Sequence, residues 1–186
     1  MKKTIITLIT LLFAVTTAFA QQKSEFRVPS GYQGFIDMNN LYTFSKDINN
    51  SIGVSTTHGF YFNPKAYVGL GMGFETNNDY VLVPIYAAIH YNFNYSKPVS
   101  PIMRLRLGSY VGDGFGTYAD LALGVRFASK RDFAVSIMVA GTFFEGFGNE
   151  VYGEYQQDEY GNWNYDVVTT QMVQPSGVGL RIGIEW

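Results

Sequence analysis

Charged side chains alternate with apolar ones in several segments of this chain. Arg104 and Arg106 flank Leu105, so in an extended strand both guanidinium groups share one face and the leucine lies on the other. The charged residues with this placement are Glu75, Arg104, Arg106, Asp120, Arg126, Arg181 and Glu185, joined by Asp37 if its segment has the matching phase. The set is balanced in sign, and charges in a narrow interior must pair because an unpaired buried charge is costly. We therefore predict a salt-bridged plug, with a small ion-conducting path lined by the same charges as the alternative.

A second group of candidates lies in an acidic, aromatic stretch at about 146–175. Between Phe133 and Leu180 the chain has no lysine or arginine, and its carboxylates are interleaved with aromatic residues. The aromatic candidates for recognition are Tyr152, Tyr155, Tyr160, Trp163 and Tyr165. Such rings offer large amphipathic contact area at little entropic cost, which favours binding of a protein or a glycan. A turn at 159–162 predicts a projecting hairpin, and a solvated hairpin without a ligand is the alternative.

These candidates lie on or between segments of alternating hydrophobicity, which are typical of β-strands with two different environments. Eight such segments cover the chain, at about 31–43, 51–62, 66–75, 79–95, 100–111, 117–128, 132–145 and 176–186. In the third, Val68, Leu70 and Met72 alternate with Gly69 and Gly71. The sequence does not settle the phase of the first two segments. Most segments have the length, about ten residues, with which a tilted strand crosses a membrane.

The connections between these segments differ in length. Three are tight and contain Asn63-Pro64, Ser96-Lys97-Pro98 and Ser129-Lys130-Arg131, whereas the last, at about 146–175, is long. An even number of antiparallel strands places both termini on one side, which in bacterial membrane barrels is the periplasmic side. We therefore expect the tight turns to be periplasmic and the long hairpin to be extracellular.

The first twenty residues have the three parts of a secretory signal peptide. Lys2 and Lys3 supply the charged part, residues 5–15 the apolar part, and Ala18-Phe19-Ala20 the cleavage site. We expect residues 1–20 to be removed, which leaves residues 21–186 as a single barrel domain.

The composition excludes several other classes of protein. Removing two of thirteen basic residues leaves eleven against fifteen acidic ones, a net charge of −4, and no basic stripe favours nucleic acid. The chain has no cysteine, so neither disulfides nor a lipid-anchored cysteine is expected. After the signal peptide, no apolar run is long enough for a membrane-spanning helix. The carboxylates lack the spacing of an EF-hand, so neither a metal nor a cofactor is expected.

The last strand carries a further signal. Its apolar face, formed by Leu180, Ile182, Ile184 and Trp186 together with Val178, ends in an aromatic residue, while glycines and charges occupy the opposite face. With the signal peptide and the strand count, this ending resembles the small eight-stranded bacterial outer-membrane proteins of the OmpA/OmpX kind, also described as a porin family. The resemblance covers roughly residues 30–186 and implies an all-β, antiparallel, up-and-down transmembrane β-barrel. It also implies that outer-membrane lipid surrounds the chain and that the barrel-assembly machinery reads its C-terminal strand. Members usually end in Phe, so Trp186 departs from the pattern.

The histidines are the remaining candidates for catalysis. Some eight-stranded barrels modify lipid A with a histidine and a serine or carboxylate at the outer leaflet. Here His58 and His90 both fall towards the expected periplasmic ends of their strands, and the chain has no Gly-x-Ser-x-Gly nucleophile motif. We therefore expect no enzymatic activity and no catalytic residue.

A soluble, exported barrel of the lipocalin type is the alternative fold. Its apolar faces would point inward around a ligand, and glycines such as Gly69 and Gly71 would lie on the solvated face, where glycine weakens a strand. The membrane barrel is favoured for this reason. The function that we expect is structural or adhesive at the bacterial cell surface, with a narrow channel as the alternative and a lipid A-modifying enzyme as a weaker one.

Overall fold

The computed structural model describes residues 29–44, 49–78, 80–129, 133–146, 149–157, 163–171 and 176–186. The predicted signal peptide and the turn predicted at 159–162 lie outside these residues. The described residues form ten strands, which are β1 (Gly31–Thr43), β2 (Ser51–Asn63), β3 (Ala66–Thr76), β4 (Val81–Asn92), β5 (Val99–Gly112), β6 (Gly116–Ala128), β7 (Ala134–Gly146), β8 (Asn149–Gln157), β9 (Trp163–Gln171) and β10 (Gly177–Glu185). Within the described ranges, no helix is long and apolar enough to cross a membrane.

Eight of the strands close into one barrel in the order β1-β10-β7-β6-β5-β4-β3-β2, and all neighbouring pairs are antiparallel. Strands β8 and β9 form a separate two-stranded sheet. The predicted eight-stranded, antiparallel, up-and-down barrel is therefore confirmed. The hairpin interrupts the chain between β7 and β10, which are neighbours in the barrel.

Strand alternation turns many large apolar side chains outward and places most of the charged side chains of the barrel strands inward. In β10, Leu180 and Ile182 are 48% and 49% exposed, whereas Arg181 between them is 1% exposed. A water-soluble protein buries its large apolar side chains and leaves charged ones at the surface. The polarity of this barrel is thus the reverse of that of a soluble barrel such as a lipocalin.

The register of β1 settles the phase that its sequence left open. Asp37 pairs with Gly183 of β10 and with Ser55 of β2, and its side chain is completely buried inside the barrel. Phe35 and Leu41 are buried on the same face, while Ile36 and Met38 are exposed. Apolar residues thus occupy both faces of β1, which is why its alternation was ambiguous.

Strand β4 is shorter than the predicted segment at 79–95, because asparagine side chains end it on both sides. The backbone N–H of Tyr80 donates to Oδ1 of Asn77 at 3.0 Å, and that of Asn94 donates to Oδ1 of Asn92 at 3.3 Å. Asparagine commonly forms such local turns by bonding nearby backbone groups. These turns divert the chain before the ladder can extend further.

Candidate functional site

The centre of the lumen is built around Asp37, which holds two arginines from the opposite wall. Its Oδ1 accepts a hydrogen bond from Nη1 of Arg104 at 2.7 Å, and its Oδ2 accepts one from Nη2 of Arg106. Strands β1 and β5 are four positions apart in either direction round the barrel, so both ion pairs cross the lumen. The other terminal nitrogen of Arg104, Nη2, donates to Oγ of Ser136 at 3.2 Å, and Nη1 of Arg106 donates to Oγ of Ser55 at 3.1 Å. The cluster therefore connects β1, β2, β5 and β7.

Two further ion pairs connect β6 with β10, and both are bidentate. Nη1 and Nη2 of Arg181 donate to the two carboxylate oxygens of Asp120 at 2.6 and 2.7 Å, and Thr142 donates to the same carboxylate at 2.8 Å. Nε and Nη2 of Arg126 donate to Glu185 at 2.7 and 3.0 Å. Paired parallel bonds of this kind are stronger and more specific in geometry than a single contact. Both pairs are almost completely buried.

Glu75 is held differently from the other three lumen carboxylates. Its Oε1 accepts a hydrogen bond from Oγ of Ser51 at 2.5 Å, and its Oε2 accepts one from Nδ2 of Asn39 at 3.2 Å. Among the described residues, Glu75 forms no salt bridge within 4 Å. The sequence predicted that carboxylates and arginines in the lumen pair in equal numbers. In the structure, Asp37 forms salt bridges with two arginines, whereas Glu75 forms none among the described residues.

Aromatic side chains pack above and below the charged groups. One cluster contains Leu41, Tyr80, Leu82, Tyr86, Ala88, Tyr110, Tyr118 and Phe144, and another contains Phe35, Tyr61 and Tyr67. The guanidinium of Arg106 lies 4.8 Å from the ring centre of Tyr86, and that of Arg104 lies 4.6 Å from that of Phe35. Such cation–π contacts contribute most when they are shielded from water. Aromatic rings therefore lie directly against two of the buried guanidinium groups.

The two histidines lie in different environments, one inside the lumen and one on the outer surface. His90 is buried in the lumen between the rings of Tyr67 and Phe35, with centroid distances of 4.6 and 4.7 Å, and neither ring nitrogen has a hydrogen-bond partner among the described residues. His58 lies on the outer surface, where Nδ1 contacts the hydroxyl of Tyr32 at 2.7 Å and Nε2 that of Thr56 at 2.9 Å. No group of three metal-ligating side chains occurs in the described part of the chain.

Trp186, which follows β10, extends the pairing of β10 with β1. Trp186 and Gly34 exchange two backbone hydrogen bonds of 3.1 and 3.2 Å. A Cβ on Gly34 would lie 2.5 Å from the indole ring, so the absence of a side chain there makes room for the tryptophan. Leu180, Ile182 and Ile184 are exposed on the outer face of the same strand. The residues predicted as an assembly signal therefore form the closing seam of the barrel.

The predicted recognition residues belong to the separate hairpin, except for Tyr160, which lies outside the described residues. The register pairs Tyr155 with Tyr165, Gln157 with Trp163, and Tyr152 with Val168. Among the proposed recognition residues, the backbone register thus sets Tyr155 directly opposite Tyr165.

The charged set predicted from the sequence did not include the uncharged serine, asparagine and threonine side chains that also belong to the lumen network. Ser51, Asn39, Ser55, Ser136 and Thr142 all donate to or accept from its charged groups. Each lies on the inward face of its strand, so alternation would have found those in β7, whose phase was clear. Asn39 in β1 and Ser51 and Ser55 in β2 could not be assigned to the inward face, because the sequence did not show which face of these two strands lines the lumen.

The comparisons with known proteins concern the fold. No family model matches the sequence, and no curated protein sequence matches it. The crystal structure of Neisserial surface protein A is similar, with a TM-score of 0.58 and 16% sequence identity over 86% of this chain and 98% of that one. The N-terminal barrel domain of Pseudomonas aeruginosa OprF has a TM-score of 0.44 at 16% identity over 83% of this chain and 97% of that one. A major outer membrane protein of Thermus thermophilus has a TM-score of 0.42 at 13% identity over 83% and 99% of the two chains. The similarity to Neisserial surface protein A shows that the chain has the fold of a small eight-stranded outer-membrane barrel.

Proposed function

We propose that this chain is a bacterial outer-membrane β-barrel protein with a structural or adhesive role at the cell surface. The observation that carries the proposal is the reversed polarity of the closed barrel. Large apolar side chains cover its outside, and Arg104, Arg106, Arg126 and Arg181 are buried inside with their carboxylate partners. This arrangement suits a barrel surrounded by lipid hydrocarbon, because its closed ladder leaves no backbone edge to be hydrated. The fold shared with Neisserial surface protein A supports the same conclusion.

The mature chain, refolded in detergent, tests this proposal by electrophoresis in SDS with and without boiling. We expect a compact band that converts to a slower one on heating, and spontaneous insertion into lipid vesicles. A chain that stays soluble without detergent, shows no shift on heating and ignores vesicles would contradict membrane residence.

We further propose that both termini face the periplasm and that the β8–β9 hairpin is extracellular. The end of the barrel at which β1 begins and β10 ends also carries the tight β2–β3 turn, with Pro64 and Lys65 between the strands. Short turns at the periplasmic end and longer connections outside are the pattern of bacterial barrels. Protease added to intact cells is expected to cut within 147–175 and to spare the turn at Lys65.

The recognition role is assigned to the hairpin, with an extracellular protein or glycan as the partner. The register pairs Tyr155 with Tyr165 and Gln157 with Trp163, and aromatic residues bind sugars and proteins at low entropic cost. Deleting residues 150–170 is expected to abolish surface binding while leaving the heat-modifiable barrel intact. A deletion variant that still binds would contradict this assignment.

A narrow ion channel is the second candidate, because charged side chains line much of the lumen. The pairing of Asp37 with both Arg104 and Arg106 favours a closed interior instead. Planar-bilayer recordings distinguish the two, since conductance steps that change size in Arg104→Ala would support the channel.

We propose no enzymatic role. Activity on lipid A that disappears in His58→Ala or His90→Ala would show that the protein is an enzyme and contradict this proposal.

We also propose that Leu180, Ile182, Ile184 and Trp186 serve as the signal for the barrel-assembly machinery. Their exposure on the seam strand supports this role. Trp186→Ala is expected to lower the amount of folded protein in the outer membrane of living cells more than it lowers refolding of purified protein in detergent. Equal losses in both settings would indicate a purely structural role.

A further inference from the structure

Three polar side chains lie close together on the inner wall of the barrel, at the end where β1 begins and β10 ends. Asn92 ends β4, Ser100 is the second residue of β5, and Arg126 is near the end of β6. Ser100 pairs directly with Arg126, and Asn92 pairs with Ile102, the next inward residue after Ser100. The three side chains are at most 2% exposed. They are therefore buried neighbours on three adjacent strands.

Each of these residues has a hydrogen-bond donor without an acceptor among the described residues. The unpaired atoms are Nδ2 of Asn92, Oγ of Ser100 and Nη1 of Arg126. The Asn92 amide has a defined orientation, because its Oδ1 accepts the backbone N–H of Asn94. In Arg126, Nε and Nη2 donate to Glu185, so Nη1 lies on the side of the guanidinium away from that carboxylate. A buried donor without a partner is costly, so these three residues, called here the donor triad, require an acceptor.

The charges around the donor triad favour an acceptor that is negative. Asp37 binds both Arg104 and Arg106, and Glu185 binds Arg126. From the centre of the lumen to this end, three arginines are thus paired with only two carboxylates among the described residues. The lumen carboxylate that forms no salt bridge lies near the opposite end of β3. One positive charge therefore lacks a partner on the side of the donor triad.

A small anion fits these donors better than water does. A water molecule must place two donors of its own, whereas a halide accepts from several donors and donates to none. Neither ring nitrogen of His90, the inward residue before Asn92 in β4, has a described partner, and its ring offers a further N–H. The unpaired Oε1 of Gln33 is an acceptor, but it belongs to β1 on the wall opposite β5. An eight-stranded barrel is only just wide enough for its side chains, which limits the ligand to a small ion.

We propose that the donor triad binds one small inorganic anion of single charge, with chloride as its representative. Nη1 of Arg126 supplies the charged contact, and Asn92 and Ser100 supply neutral donors from the neighbouring strands. Hydrogen bonds between ionised groups are about twice as strong as neutral ones, so the arginine makes the main contact. The bound ion balances the excess arginine and ties together the ends of β4, β5 and β6. The site depends only on the closed barrel and not on the membrane orientation or the surface role proposed above.

Urea unfolding of the barrel refolded in detergent, at constant ionic strength, tests for the ion. Sodium chloride is replaced stepwise by sodium gluconate, whose bulky organic anion does not fit the lumen. A ligand that binds only the folded state raises the folding equilibrium constant in proportion to its concentration above Kd. We expect about a tenfold rise for each tenfold increase in chloride in that range. Folding that does not depend on chloride would overturn the proposal, because water then satisfies the donors.

Matched variants locate the site. Ser100→Ala removes one donor and is expected to weaken chloride binding about tenfold. Ser51→Ala, near the other end of the lumen, is expected to keep the wild-type dependence on chloride although it removes a hydrogen bond to Glu75. Asn92→Asp keeps the oxygen that accepts from Asn94 but replaces the donor with a carboxylate oxygen, so the dependence on chloride is expected to disappear. The same chloride dependence in these variants and in the wild type would contradict the site.

Crystals grown with bromide in place of chloride provide an independent measurement, because bromide scatters X-rays anomalously. We expect one anomalous peak inside the lumen, within hydrogen-bond distance of Nη1 of Arg126, and its loss in Asn92→Asp. Bromide on the outer surface alone would be an adventitious ion only and would overturn the proposal. This measurement on the wild-type barrel decides the question even if Ser100→Ala does not fold.

Discussion

Two buried carboxylates of one lumen are expected to differ greatly in their contribution to stability. Asp37→Asn removes the only carboxylate that contacts Arg104 and Arg106 among the described residues. The amide that replaces it can accept from one guanidinium, but its NH₂ group then faces the other cation. Glu75→Gln is the matched change, because it also converts a buried carboxylate to an amide of the same size.

The contacts of each residue set the size of the effect. Breaking a buried ion pair leaves an uncompensated charge and costs about 3–5 kcal/mol, so Asp37→Asn is expected to lower the free energy of unfolding by that amount. Glu75 contacts only the neutral Ser51 and Asn39 through its described hydrogen bonds. The Asn39 amide can rotate to present its oxygen to a glutamine, so Glu75→Gln is expected to cost about 1 kcal/mol or less.

The free energies are measured by urea titration of the barrel in lipid vesicles, followed by tryptophan fluorescence and by the gel shift. Similar dependence on urea in all variants shows that the same surface is exposed on unfolding. If Glu75→Gln costs as much as Asp37→Asn, Glu75 has a charged partner in solution and the pairing scheme is wrong. If neither change costs more than about 1 kcal/mol, the lumen is hydrated rather than packed.

Three further outcomes follow from the packing of the barrel wall and lumen. Gly183→Ala places a methyl group against the carboxylate of Asp37, whereas the methyl group of Gly141→Ala meets nothing within 4 Å. In the same urea titration, Gly183→Ala is expected to lower the free energy of unfolding by about 1–3 kcal/mol. Gly141→Ala is expected to leave it unchanged. Leu121→Arg lies mid-strand on the outer face of β6 and is expected to cost about 2–4 kcal/mol in vesicles, while Thr117→Arg near the strand end costs about 0–1 kcal/mol. Equal costs for the two arginines would contradict the proposed depth in the bilayer. In detergent-free buffer, none of these variants is expected to stay soluble, because their outer faces remain apolar.

Much of the wall of this barrel could be predicted from local sequence. In β10, the alternation of Leu180, Ile182 and Ile184 with Arg181 and Glu185 indicated which side chains face out, and the structure agrees. Strand alternation repeats every two residues and depends only on neighbours in the chain. The count of eight strands and the antiparallel order followed from the same pattern and from the short turns.

The sequence failed where both faces of a strand carry apolar residues. Phe35 and Leu41 point inward in β1, while Ile36 and Met38 point outward. The alternation of apolar and polar residues therefore could not show which face of β1 lines the lumen. Only pairing with β2 and β10 decides that Asp37 faces the lumen.

The sequence by itself thus determined a barrel with charges inside, and the tertiary structure decided which charges meet. Asp37 is 67 and 69 residues from Arg104 and Arg106, and Arg126 is 59 residues from Glu185. Such contacts depend on how the strands tilt and stagger when the sheet closes, which no local pattern encodes. For the same reason, only the closed barrel shows that Glu75 forms no salt bridge with any described arginine.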